Sequence, residues 1–155
     1  MHLTKKTVLI GIASLLIFGL AAWGVNVFLV MNNAQKSFDK NFIHFQAKSD
    51  DNETFITQGI GKKEAYNLSY SPAKKTIEIS KSTKNGDIYS SDSIYGAVKV
   101  YDIKQNANRY VFLTAAKPII VDFGITSVKV TYDGGHFETP YSELHFGESF
   151  PSEDN

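Results

Sequence analysis

The residues with the most chemistry in them form the stretch His136-Phe137-Glu138-Thr139-Pro140-Tyr141-Ser142-Glu143-Leu144-His145, which reads almost the same in both directions about Pro140-Tyr141. Folded back as a hairpin at that point, it sets Glu138 opposite Glu143 and His136 opposite His145. Side chains alternate between the two faces of a strand, so both imidazoles and both carboxylates then share one face. Phe137 and Leu144 take the other. Two carboxylates directly across a ribbon repel each other. A divalent cation such as zinc would relieve that repulsion and accepts imidazole nitrogen and carboxylate oxygen as ligands. His136, Glu138, Glu143 and His145 are therefore the candidate metal ligands, and a divalent metal is the one cofactor the sequence suggests. The competing reading is a ribbon whose polar face simply meets water.

Other catalytic patterns are thinner. Ser71-Pro72-Ala73-Lys74 has the spacing at which a Ser nucleophile and a Lys base meet on the first turn of a buried helix. Here Ser-Pro and a following Lys75 lie between two strand-like stretches, which reads as a solvated turn. Asn52-Glu53-Thr54 and Asn67-Leu68-Ser69 fit the N-glycosylation acceptor pattern. Gly-x-Ser-x-Gly, His-Glu-x-x-His and the phosphate-binding loop are absent from the sequence. There is no Cys, which excludes thiol nucleophiles, disulfides and Cys-ligated metals. The 16 basic residues balance 16 acidic ones, and only Arg109 among the basic ones is an Arg. Nucleic-acid binders normally carry a basic excess and use Arg to clamp phosphate, so nucleic acid is not an expected partner.

What must position these residues begins in the membrane. Residues 7–31 carry no charge over 25 positions. As a helix they span ~37 Å, longer than the ~30 Å hydrocarbon core of a bilayer. Lys5 and Lys6 precede the run, which places the short N-terminal side in the cytoplasm by the positive-inside rule. Trp23 and Phe28 fall toward the outer interface. A cleaved signal peptide is the alternative, with Gly19-Leu20-Ala21 as its cleavage site. Cleavage there would leave a mature chain opening on Ala-Trp-Gly-Val-Asn-Val-Phe-Leu-Val-Met, which favours an uncleaved anchor.

Past the anchor, Phe38, Phe42 and Phe45 recur at i, i+4 and i+7, one face of a helix, which predicts a membrane-proximal helix over residues 32–47. From Glu53 the apolar period becomes two. Strands are expected at 54–60, 65–70, 76–81, 87–91, 97–103, 109–115, 119–123 and 126–132, with a final pair across 136–146. Turn chemistry separates them, and Asn85-Gly86 is the sharpest hairpin signal. On the expected strand faces, Tyr66, Leu68 and Tyr70 line up, as do Tyr101 and Ile103. Val111 and Val128 are expected to point into the core.

The sequence therefore predicts a mainly β protein: a single transmembrane helix, then an antiparallel β-sandwich or small barrel-like domain. The alternative is a curved antiparallel sheet wrapped around the membrane-proximal helix. The expected divisions are a cytoplasmic tip (1–6), the membrane helix (7–31), a membrane-proximal helix and linker (32–49), an extracytoplasmic β domain (50–147) and an acidic tail (148–155). The β domain is expected to fold without the anchor. The expected function is a non-enzymatic, single-pass, membrane-anchored binding or accessory subunit of a bacterial cell-envelope complex. Its expected partners are the lipid bilayer and another envelope membrane protein, which Asn26 and the small residues Gly11, Gly19 and Gly24 would help to pack. The alternative is a small anchored hydrolase using the His/Glu face with a metal.

Overall fold

The structure is a computed structural model that describes residues 5–44, 54–58, 64–85 and 88–148. It opens with one helix, α1 (Lys5–Phe38), which runs without a break from the apolar segment into the β domain. Its side chains from Ile10 to Gly19 and on to Val30 lie almost wholly exposed. A helix of this length and apolarity that buries none of that surface in its own protein is suited to crossing a membrane. Within the apolar run Ser14 satisfies its hydroxyl by donating to the Ile10 carbonyl at 2.9 Å.

Beyond Phe38 the helix widens into a π-helical turn, Asp39–Ile43, closed by the His44 N–H donating to the Asp39 carbonyl at 2.8 Å. The predicted membrane-proximal helix is thus present as a continuation of α1. Phe38 and Phe42 both have no solvent exposure and stack with ring centroids 4.8 Å apart. Phe45, the third member of the predicted face, lies outside the described residues.

Nine strands follow: β1 (Thr54–Gln58), β2 (Glu64–Ser71), β3 (Thr76–Asn85), β4 (Ile88–Asn106), β5 (Arg109–Thr114), β6 (Ile119–Phe123), β7 (Ser127–Tyr132), β8 (Gly135–Pro140) and β9 (His145–Glu148). They form one antiparallel sheet in the order β8-β7-β6-β5-β4-β3-β2-β1-β9. The first eight are a meander. β9 then returns to pair with β1, and the 3-10 turn Tyr141–Glu143 joins the two ends of the strand order. The sheet therefore curls on itself. Tyr66 of β2 stacks on Phe137 of β8 across the interior, with centroids 5.1 Å apart. The strands expected at 87–91 and 97–103 are one 19-residue strand, β4, whose first part pairs with β3 and whose last part pairs with β5.

The end of α1 fills the space the sheet encloses. Phe38 meets Tyr110, Phe112, Phe123 and Phe146 edge-on at 4.8 to 6.5 Å, and Phe42 meets Tyr70 and Phe112. Around them pack Leu68, Ile77, Ile79, Val100, Ile119, Val121, Val128 and Val130. The fold is thus the barrel-like sheet of the sequence reading with the membrane-proximal helix inside it. This bears on the expectation that the β domain folds without the anchor. A domain cut at residue 50 lacks two of its largest buried side chains and should not fold alone.

Two strand faces also differ from the sequence reading. Tyr66, Leu68 and Tyr70 do share the inward face of β2. Tyr101 and Ile103 do not share one: Val100 is buried, Tyr101 is 67% exposed, and Ile103 packs on the core. A bulge between Val100 and Asp102 resets the phase there. The Asp102 carboxylate accepts the Ile103 N–H at 2.9 Å, which steadies the bulged backbone. Val128 is fully buried as expected. Val111 is not, because Tyr110 and Phe112 on either side of it take the inward positions of β5.

Candidate functional site at the helix–sheet junction

The four residues expected to ligate a metal are spread over three elements. His136 and Glu138 lie on β8, exposed and on the same face, as period two requires. Glu143 sits in the 3-10 turn, and His145 is exposed on β9. The hairpin that would join them does not form. β8 pairs with β7, setting His136 against Thr131 and Glu138 against Lys129, whereas β9 pairs with β1, setting His145 against Thr57. The reason is local. Asp133-Gly134 makes a tighter return, with Gly134 at φ 128°, a conformation that side-chain-bearing residues rarely adopt, and β8 takes its partner there. Lys129 is then the cross-strand neighbour of Glu138 and carries the opposite charge, and the Ser127 hydroxyl donates to the Glu138 carboxylate. Among the described residues no group of three or more His, Asp or Glu side chains stands close enough to hold a metal ion.

The other motifs resolve similarly. Ser71-Pro72-Ala73-Lys74 lies in the turn between β2 and β3, where the buried Ser71 hydroxyl accepts the Lys74 N–H at 3.3 Å. Asn67 is in the middle of β2, and its amide donates to the hydroxyls of Ser80 and Ser82 at 3.5 and 3.3 Å. An acceptor asparagine for glycosylation belongs on an exposed loop, and this one is engaged within the sheet. Asn52 lies outside the described residues. His44 is exposed and stands 3.6 Å from the Asp39 carboxylate.

Polar groups do converge where α1 enters the sheet. The β4–β5 turn, the β6–β7 turn and the Tyr141–Glu143 turn are bonded to one another, and the first is bonded to α1, making a collar beside the helix. Gln35 donates from its side-chain amide to the Ala107 carbonyl at 2.6 Å. Asn108 holds Phe123 with two bonds, its side chain donating to the Phe123 carbonyl at 2.5 Å and its own carbonyl accepting the Phe123 N–H at 2.8 Å. Tyr141 reaches back to the β6–β7 turn, donating its hydroxyl to Gly124 O at 2.6 Å and its N–H to Thr126 O at 3.3 Å. Beneath the collar, the Tyr110 hydroxyl donates to Asp39 at 3.4 Å.

This geometry has electrostatic consequences. Burial pushes the Tyr141 hydroxyl up to about 12 and raises Tyr70. Tyr110 is raised too, by burial first and by the neighbouring Asp39 carboxylate, against an opposing hydrogen bond from Gln35. All three therefore stay neutral donors at any physiological pH. On the outer side of the collar Arg109 clasps Asp122 with two bonds, Nε at 2.5 Å and an Nη at 3.1 Å, beside a 430 Å³ cleft lined by Asn106, Asn108 and Gly124. The guanidinium is already committed to Asp122, so the cleft offers amides rather than a free cation.

Three large apolar side chains outside α1 are exposed among the described residues: Ile94, Tyr101 and Ile125. The first two lie on β4. Between Ile88 and Lys99 that strand pairs with β3 only; β5 begins to pair at Val100. The other edge of that stretch carries no strand among the described residues. Its side chains from Ser90 to Ile94 are all exposed. Sequence reasoning missed this edge because it divided β4 into two short strands, and Gly96-Ala97 within it reads like a break. The collar was also missed: Gln35, Asn108 and Tyr141 are ordinary residue types whose importance comes from the pairing of turns distant in sequence. No protein-family model, curated protein or solved structure matches the chain.

Proposed function

We propose that the protein is a non-enzymatic, single-pass membrane module that holds its β domain outside the cytoplasm and takes up an extended segment of a partner chain along β4. The observation that carries this reading is the unpaired edge of β4 from Ile88 to Lys99. An exposed edge offers a row of backbone donors and acceptors, and a partner strand satisfies them by adding to the sheet. Ile94 and Tyr101 on the same strand are exposed and would supply side-chain contacts. The edge also lacks most of the devices that proteins use to discourage strand addition: between Ser90 and Ala97 it has no Pro and no Lys, and Asp92 is its one charge.

The anchoring half of the proposal draws on α1. Its apolar length suits a membrane span, and its far end is part of the domain core. Lys5 and Lys6 before the span, and no charge within it, favour a cytoplasmic N-terminus. A partner that also lies in the envelope membrane is the natural occupant of the edge, because anchoring both chains raises their effective concentration for each other.

The test is site-specific photocrosslinking in native membranes. A photoreactive residue at Ser91 or Ser93 is expected to yield one shared adduct, mapping to an extended segment of another membrane-anchored protein. The same probe at Asp133, on the far turn between β7 and β8, is expected to yield none. Ile94→Lys should abolish the adduct without lowering the melting temperature. Equal adducts from Ser91 and Asp133, or none from Ser91 and Ser93, would contradict the reading.

A further inference from the structure

The third exposed apolar residue is placed differently from the other two. Ile125 is 62% exposed at the tip of the β6–β7 turn. Gly124 makes that tip tight: its N–H donates to the Ser127 carbonyl at 2.8 Å, and a side chain on it would come within 3.1 Å of the same oxygen. The turn is also fixed from two sides, by Asn108 on Phe123 and by Tyr141 on Gly124 and Thr126. Ile125 is thus held out on a rigid mount, in the collar of turns beside α1.

The height of that collar above the apolar span follows from the helix itself. The last uncharged, apolar residue of the run is Met31, and Asn32-Asn33 follow. The collar touches α1 at Gln35, through the bond to Ala107, and along a 340 Å³ groove lined by Val30, Ala34, Ser37, Tyr141, Leu144 and Phe146. At ~1.5 Å per residue, Ala34 to Ser37 stand about 5 to 9 Å beyond Met31. The polar layer of one leaflet is ~5 to 8 Å thick, from the difference between the whole bilayer and its hydrocarbon core. The collar therefore lies at the depth of the lipid headgroups. The groove continues the same surface, because Val30 at its lower lip belongs to the membrane-spanning run.

We propose that the collar rests on the outer leaflet and that Ile125 inserts at its headgroup–acyl boundary, giving the domain a second lipid contact beside its anchor. The proposal rests on the reading of α1 as a membrane anchor. Lipid rather than a protein is the occupant, because the surface is continuous with the span and is set at headgroup depth by the rigid helix. The contact is apolar in kind. Arg109, which follows the β4–β5 turn, is held by Asp122. Anionic lipid is accordingly not required, and zwitterionic lipid suffices.

The absence of native Cys allows a direct test in the full-length chain. Single-cysteine variants carrying a nitroxide are reconstituted in phosphatidylcholine vesicles. The accessibility of each label to oxygen, which concentrates in lipid, is compared with that to a water-soluble nickel chelate. Leu16→Cys reports the anchor. Ile125→Cys reports the contact, and Asp133→Cys, at the opposite end of β7 and ~20 Å away by strand length, reports bulk water. Oxygen-favoured values at both Leu16→Cys and Ile125→Cys, with a nickel-favoured value at Asp133→Cys, are expected. Ile125→Asp, with the label moved to Thr126→Cys, should keep the fold by circular dichroism and turn the label nickel-accessible. A shielded Leu16→Cys with Ile125→Cys as wet as Asp133→Cys would overturn the lipid contact and leave the anchor standing. A nickel-accessible Leu16→Cys would overturn the anchor and the contact with it.

Discussion

At the scale of single residues, the surroundings of a side chain in this fold are set by the strand it faces across the sheet. His136 and Glu138 do share a face of β8, because period two is a property of any strand. What the sequence does not carry is the partner of each strand. The near-palindrome about Pro140-Tyr141 pairs well on paper, but Lys129 across β7 is the better neighbour for Glu138, and nothing local announces it. The residue that stands out once the turns are seen is Ala107. It sits at φ 51° in the β4–β5 turn, a left-handed conformation that costs a side-chain-bearing residue roughly 1–2 kcal/mol and glycine nothing. Its carbonyl receives the Gln35 bond, so the strain is held in place by contact with α1. Ala107→Gly is expected to raise stability by up to ~1 kcal/mol after the extra flexibility of the unfolded chain is charged against it, read from urea unfolding. Tyr141 gives a pH signature. Its hydroxyl ionises near pH 10 in an unfolded chain and at about 12 in the folded one. A raised folded-state value means that its contribution is complete below pH 10 and is lost as pH climbs toward 12. Melting temperatures should fall over that window, and Tyr141→Phe should flatten the fall. Tyr70 and Tyr110 account for the part that remains.

The elements were far more legible. Nearly every strand was readable from β-branched and aromatic residues between turn signals, and β3 and β4 do form a hairpin at the Asn85-Gly86 signal, with Asn85 paired to Ile88, one residue along from the register an Asn-Gly loop would set. Two physical features hid the rest. A bulge has no composition of its own, so the phase change between Val100 and Asp102 could not be read, and Tyr101 was placed on the wrong face. Strand length is equally silent, which is why β4 looked like two strands and its free edge went unseen. Burial phase supplies a clean test on β5 and β7. Val128→Asp puts an unpaired charge at a site with no solvent exposure and should cost several kcal/mol, enough to prevent cooperative folding. Val111→Asp, one position out of phase with the buried Tyr110 and Phe112, should leave a clear melting transition. Equal damage from both would mean that the inward face of β5 has been misassigned.

For the molecule as a whole, the anchor and the domain are a single structural unit. Anchor, membrane-proximal helix and β domain were readable as separate segments from hydropathy and period. Their union was read only as the alternative of a sheet wrapped around the membrane-proximal helix, because the i, i+4 spacing of Phe38 and Phe42 shows a helix face but not what covers it. The structure covers it with the sheet: Tyr110, Phe112, Phe123, Phe146 and Tyr70 surround the two rings. Removing a buried Phe costs ~3–5 kcal/mol, a large share of the ~5–15 kcal/mol that a domain has in total. Losing two of them, with the helix turn that holds them, leaves a sheet with no interior. On the proposed anchoring, a helix with no Pro also sets how the domain stands relative to the membrane, and with it the positions of the β4 edge and the Ile125 turn. The most direct measurement compares urea unfolding of two soluble fragments, residues 32–155 and residues 50–155. The first is predicted to unfold cooperatively with near-ultraviolet dichroism from packed aromatics. The second is predicted to show neither, whereas equal cooperative unfolding of both fragments would contradict the claim that the anchor helix supplies the core.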